Sequence, residues 1–136
     1  MTNGGLGASY LRKAADHLEI LSILHAKGAY SNVVREAQEI VELALKGVLR
    51  LIGIDPPKWH DVSSIMVEHS DKLPDEFRTN LDRIVSLSRE LRRNRELSFY
   101  GDIDCIPTEV YTEDQSRRAM EDATFVVDLA SRLRLT

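Results

Sequence analysis

Apolar residues recur every three or four positions along most of this chain, the spacing that puts them on one face of an α-helix. The clearest run is Val33, Ala37, Ile40, Val41, Ala44, Leu45, Val48 and Ile52, with Arg35, Glu39, Glu42, Lys46 and Arg50 on the opposite face. Leu11, Ala14, Ala15, Leu18 and Leu21 predict an earlier helix from about Ala8. Phe77, Leu81, Ile84, Leu87 and Leu91 predict a long one from Pro74 to about Tyr100. Ala119, Ala123, Val126, Val127, Ala130 and Leu133 predict the last. Val62, Ile65, Met66 and His69 fit a shorter helix of about ten residues. No stretch shows the strict alternation of a half-buried strand.

Local signals set the boundaries. Gly28 and Gly53 follow helical runs and supply the left-handed residue that commonly closes a helix. Ser31 or Asn32 can cap the second helix and Asp61 the third. Ile54-Asp55-Pro56-Pro57-Lys58 cannot be helical, because a residue before proline is pushed toward extended geometry. Leu73-Pro74-Asp75-Glu76 reads as a helix start. Thr112-Glu113-Asp114-Gln115 reads as a capping box after a loop from Gly101 to Thr108. Residues 1–7 hold three glycines and no periodicity, and are expected to form a flexible tail. The fold class expected is all-α: an antiparallel up-and-down bundle of four long helices plus one short one, in a single domain over 8–136.

Composition narrows the setting. A chain of 136 residues can bury a core without staples, and its single cysteine, Cys105, cannot form an intrachain disulfide. These features fit a reducing compartment, so a cytoplasmic location is expected. No signal-peptide pattern opens the chain and no apolar run approaches a membrane span, so no membrane partner is expected. The formal charge of −4 argues against a general nucleic-acid coat and leaves room for a local basic patch.

That patch is Arg89, Arg92, Arg93 and Arg95 against Glu90, the strongly basic run of an acidic chain. Guanidinium forks suit phosphate and carboxylate. Continued at 100° per residue, the apolar stripe of this helix arrives at Asn94, Arg95 and Ser98, which places polar groups where a core, cleft or interface begins. No metal or other cofactor is expected. His17, His25, His60 and His69 lack zinc spacing, the bundle has no Glu-x-x-His pair, and Gly4-Gly5-Leu6-Gly7 follows no strand as a phosphate loop would. His60 either closes the connector or lines a pocket with the arginines. Lys46 either pairs with Glu42 or supports a site.

Ala37, Gln38, Glu42 and Lys46, then Gly53 to His60-Asp61, and finally Arg95-Glu-Leu-Ser-Phe-Tyr-Gly-Asp102 together resemble the HEPN domain of bacteria and archaea. The resemblance implies an antiparallel helical bundle that forms a homodimer. It also implies a minimal nucleotidyltransferase as partner and membership of a toxin–antitoxin pair. The family's ribonucleases carry Arg, four to six residues and then His, often followed by x-Tyr, and act without a metal. Aligning Arg95 puts Tyr100 at the histidine position and Asp102 at the tyrosine position. Aligning Arg93, with Asn94 after it, puts Ser98 and Tyr100 there instead. The first is favoured because it keeps Gly101. In both, the imidazole that would move a proton near neutral pH is missing. The expectation is a non-catalytic or degenerate member that binds nucleotide phosphate through Arg93, Asn94, Arg95, Tyr100 and Asp102, with Ser98, His60 and Lys46 in support. The alternative is a metal-independent ribonuclease toxin.

Overall fold

In the computed structural model, residues 3–56, 58, 61–99 and 111–133 are described, with 3 and 95–99 as backbone only. Two helices form the first hairpin, α1 (Asn3–Ala26) and α2 (Tyr30–Leu51). Gly28, at φ +76°, ends α1 as expected: its N–H donates to the His25 carbonyl, and that of Ala29 to Leu24. Gly53, at φ +84°, ends α2 in the same way, with Ile54 N–H donating to Leu49 O. Both are left-handed turns that close the last carbonyls of a helix, at positions where any side chain would be strained.

The remaining elements are α3 (Val62–Glu68), a 3-10 turn (Ser70–Lys72), α4 (Asp75–Thr79), α5 (Leu81–Phe99) and α6 (Glu113–Leu133). Among the described residues no strand occurs. The four long helices make the antiparallel bundle that the periodicity predicts. The α2 helix packs against α1, α5, α6 and α3, so it is the element the others enclose. Val33, Ala37, Ile40, Val41, Ala44, Leu45 and Val48 are all buried, as their spacing requires.

Four local expectations need correction. The tail assigned to residues 1–7 is helical from Asn3, while Met1 and Thr2 lie outside the described residues. The cause is a helix crossing: a β-carbon on Gly7 would stand 2.8 Å from the Gly47 carbonyl oxygen, so Gly7 is where α1 meets α2 backbone to backbone. The start of α2 uses neither Ser31 nor Asn32 as a side-chain cap, for the helix begins at Tyr30 and Ser31 is buried. The predicted third helix of about ten residues is a seven-residue helix followed by the 3-10 turn. Finally, the continuous helix from Pro74 breaks at Asn80, so the bundle has two short α-helices rather than one. Thr79 Oγ1 and Asn80 Nδ2 both donate to the Glu76 carbonyl, competing with the helical ladder, and Asn80 O then accepts from Ile84 N–H to start α5. The apolar phase survives the break. Phe77, Leu81, Ile84, Leu87 and Leu91 are all buried.

The capping box stands as read. Thr112 Oγ1 accepts from Gln115 N–H at 3.2 Å, and Gln115 Oε1 accepts from Thr112 N–H at 2.9 Å. At the other end of α6, Arg132 forms an ion pair with Glu76 of α4. The capping box sets where α6 starts, and the ion pair links its far end to α4.

Candidate functional site

Helix α5 carries the basic run, and its 3.6-residue period divides that run between two faces. Arg89, Arg92 and Arg93 lie within one sector and line a cleft with Asp61, at the start of α3. Glu90 and Asn94 turn the other way, toward α6, where they share a cavity of about 140 Å³ with Val34, Tyr111, Gln115, Arg118 and Asp122.

Asp61 is the centre of the first face. It caps α3, its Oδ1 accepting from Ser63 N–H at 3.0 Å and from the Ser63 hydroxyl at 2.7 Å. Arg89 Nε donates to Oδ2 at 3.4 Å, and Arg92 Nη1 stands 3.7 Å from Oδ1. Burial by itself would raise the Asp61 carboxyl. The Ser63 hydroxyl and N–H, then Arg89 and Arg92, more than offset that and hold it below its ordinary value. The carboxylate is thus charged at neutral pH and matched against two guanidinium groups. Arg93 shares the cleft with no acidic partner among the described residues. The same arginine extends along a shallow groove between α3 and α5 with Val67, Asp82, Val85, Ser86 and Arg89.

The second face is acidic and mixed. Arg118 pairs with Glu90 at 3.6 Å, and the Tyr111 hydroxyl donates to the Asn94 carbonyl at 3.1 Å, tying the start of α6 to α5. Burial pushes the Asp122 carboxyl up; Arg118 opposes this, Glu90 adds to it, and Arg83 and Glu121 follow with smaller opposite effects. Arg83 itself lies over the Phe125 ring, 3.7 Å from its centroid.

The expected site residues separate accordingly. Arg93 and Asn94, adjacent in sequence, open onto different clefts. Arg95 and Ser98 lie on the last turns of α5, where only the backbone is described. His60, Tyr100 and Asp102 lie outside the described residues. Lys46 pairs with Glu42 at 3.5 Å and lines neither arginine cleft. Glu42 in turn accepts from Gln38 Nε2 at 2.8 Å, so the Gln38, Glu42 and Lys46 spacing is a ladder of one hydrogen bond and one ion pair along α2. Asp61, read from sequence only as a helix cap, is the site residue that reading missed. Its neighbour His60 was singled out, but a capping aspartate gives no local sign that arginines 28 positions on will share it.

A serine–histidine contact also occurs: His25 Nδ1 and Ser116 Oγ are 2.8 Å apart beside the Tyr30 ring. Ser116 is fully buried, so the pair fastens α1 to α6. Among the described residues no group of three or more His, Cys, Asp or Glu side chains is arranged to hold a metal ion. No helix among them is long and apolar enough to cross a membrane.

Small antiparallel bundles of four long helices are a recognisable class of domain, here with arginines grouped along the third long helix. The sequence comparisons place the chain within it: the profile of the HEPN domain matches residues 8–133, and the chain belongs to that family. A curated relative, "Putative toxin MJ1304" of Methanocaldococcus jannaschii, is 25% identical over 127 residues, covering 88% of this chain and 82% of that protein. No solved structure matches.

Proposed function

We propose that this HEPN protein is the toxin-side member of a two-component pair, a dimer that binds a minimal nucleotidyltransferase and takes nucleotide phosphate through its α5 arginines. The carrying observation is the arrangement of Arg89, Arg92 and Arg93 in one cleft with a single carboxylate, which leaves a local excess of positive charge on an acidic protein. Charge-assisted bonds from guanidinium to phosphate are the strong kind, about 1.5–3 kcal/mol each when well formed. The name of the archaeal relative supports the toxin side of the pairing. Arg95, Tyr100 and Asp102 belong to the reading by their family positions, and Ser98 and His60 stay in it as supporting residues.

Calorimetric titration with ATP, GTP and a single-stranded RNA decamer tests the binding, with Arg93→Ala as the comparison. Saturable binding weakened several-fold by the substitution is expected. Absence of binding to all three at low salt refutes the phosphate reading. Size-exclusion chromatography of the protein alone tests the dimer, and co-expression with any minimal nucleotidyltransferase frame found beside its gene tests the partner.

The second reading, drawn from the resemblance to the family's ribonuclease members, is a metal-independent ribonuclease. Loss of a general acid or base typically removes about a hundred- to ten-thousandfold of rate. With Tyr100 or Ser98 in place of the family's histidine, the isolated protein is expected to cut mixed RNA at background. Cutting that Arg95→Ala abolishes would establish the ribonuclease instead.

A further inference from the structure

We propose that Asp61 is a built-in competitor for phosphate: its carboxylate occupies Arg89 and Arg92 in the ligand-free protein and must release them for an anion to be held by Arg89, Arg92 and Arg93 together. This inference rests on the phosphate reading above and adds a regulatory contact within the same cleft.

The geometry carries it. The two ion pairs are long, 3.4 Å from Arg89 Nε and 3.7 Å from Arg92 Nη1, whereas the two Ser63 bonds to the same carboxylate are 3.0 and 2.7 Å. Asp61 is therefore held to α3 tightly and to α5 loosely. The cap can stay in place while the arginines leave. Both arginine side chains are about half exposed, Arg89 at 55% and Arg92 at 44%, so they can turn toward solvent without unpacking the core. Arg93, four residues along from Arg89 on the same helical face, supplies a charge that Asp61 does not occupy, and offers an arriving anion its first contact.

The chemistry favours exchange. A carboxylate brings one negative charge and a phosphate group up to two, with more acceptor oxygens for the planar guanidinium fork. Exposed ion pairs are each worth about 0.2–1 kcal/mol, so two of them hold the arginines back by roughly two- to thirtyfold in affinity. Asp61 would thus set a threshold: weak single anions fail to displace it, and polyphosphates or phosphodiester chains that reach all three arginines succeed.

Asn retains helix-capping ability and removes the charge, so Asp61→Asn separates the two jobs of this residue. Binding of ATP and of an RNA decamer lacking a terminal phosphate would be measured by calorimetry for the parent, Asp61→Asn, Arg89→Ala and the double variant, with circular dichroism to verify equal helix content. Tighter binding by Asp61→Asn, about three- to tenfold, with the gain abolished in the double variant, is the expected result. The ligand showing the larger gain tells a nucleotide site from a phosphodiester site. If the parent binds and Asp61→Asn binds equally or more weakly, the competitor role is wrong while the phosphate reading stands. If neither binds, both fall.

Discussion

Gly7→Ala is the substitution on which local propensity and tertiary packing disagree most sharply. Within a helix the change ordinarily stabilises by about 0.5–1 kcal/mol, because alanine loses less backbone freedom on folding. At Gly7, however, the added carbon would stand 2.8 Å from Gly47 O, 3.1 Å from Leu51 N and 3.2 Å from Arg50 Cβ. Two of those atoms are backbone of the helix that the rest of the bundle surrounds, so relief requires moving α1 as a body. Overpacking costs about 1–3 kcal/mol, and contacts this short to backbone put Gly7 in the upper half of that range, so a propensity gain of up to about 1 kcal/mol leaves a net loss of about 1–2 kcal/mol. For a domain of this size the loss lowers Tm by roughly 3–6 °C. Gly4, three residues earlier in the same helix, has nothing within 4 Å of its added carbon, so Gly4→Ala should be neutral or slightly stabilising. Thermal and urea unfolding followed by circular dichroism would compare the two side by side. Gly7→Ala as stable as the parent would refute the helix crossing and return residues 3–7 to a tail.

Three further outcomes follow from contacts elsewhere. Thr112→Ala removes one half of the capping box and is expected to cost about 1 kcal/mol in urea unfolding, with Gln115→Ala costing less because the Thr112 bond to the helix would remain. Gln38 is buried, and among the described residues its Oε1 has no hydrogen-bond partner; Gln38→Met should therefore be neutral or stabilising by up to about 1 kcal/mol, whereas Gln38→Ala should destabilise by leaving a void. Asp122 has its carboxyl raised by burial, and a raised carboxyl contributes stability present below its unfolded value and lost as pH rises through the folded one. Asp122→Asn is accordingly expected to gain on the parent at pH 7 and to lose that advantage below about pH 4, read as a convergence of their Tm-versus-pH curves at low pH.

What could be read from the sequence, and what could not, divides by the range of the interaction that decides it. The stripe from Phe77 to Leu91 was legible because helical phase is local, and it persisted even through the break at Asn80. The break itself depended on two short polar side chains choosing the same carbonyl, a choice that apolar spacing does not encode. Capping at Thr112–Gln115 and the left-handed turns at Gly28 and Gly53 were equally local and equally legible. Gly7 was not. Glycine without periodicity looks like a tail until Gly47, forty positions away, is known to need its missing side chain.

The arginine run shows the same division at the site. Spacing alone could have grouped Arg89, Arg92 and Arg93 on one face and turned Asn94 to another, since positions i, i+3 and i+4 of a helix share a sector. Whether that face is an inert salt-bridged surface or a binding cleft depends on how the opposing charge is supplied, and Asp61 arrives from a different helix. One carboxylate, already committed to the Ser63 cap, faces three guanidinium groups and makes only long contacts with two of them. A surface built for stability alone would gain more by matching each arginine with its own acid, as Arg117 is matched by Glu113 and Asp114 on α6. The contrast between these two arginine settings, on neighbouring helices of one bundle, is the physical reason to look for an anion at α5 and not at α6.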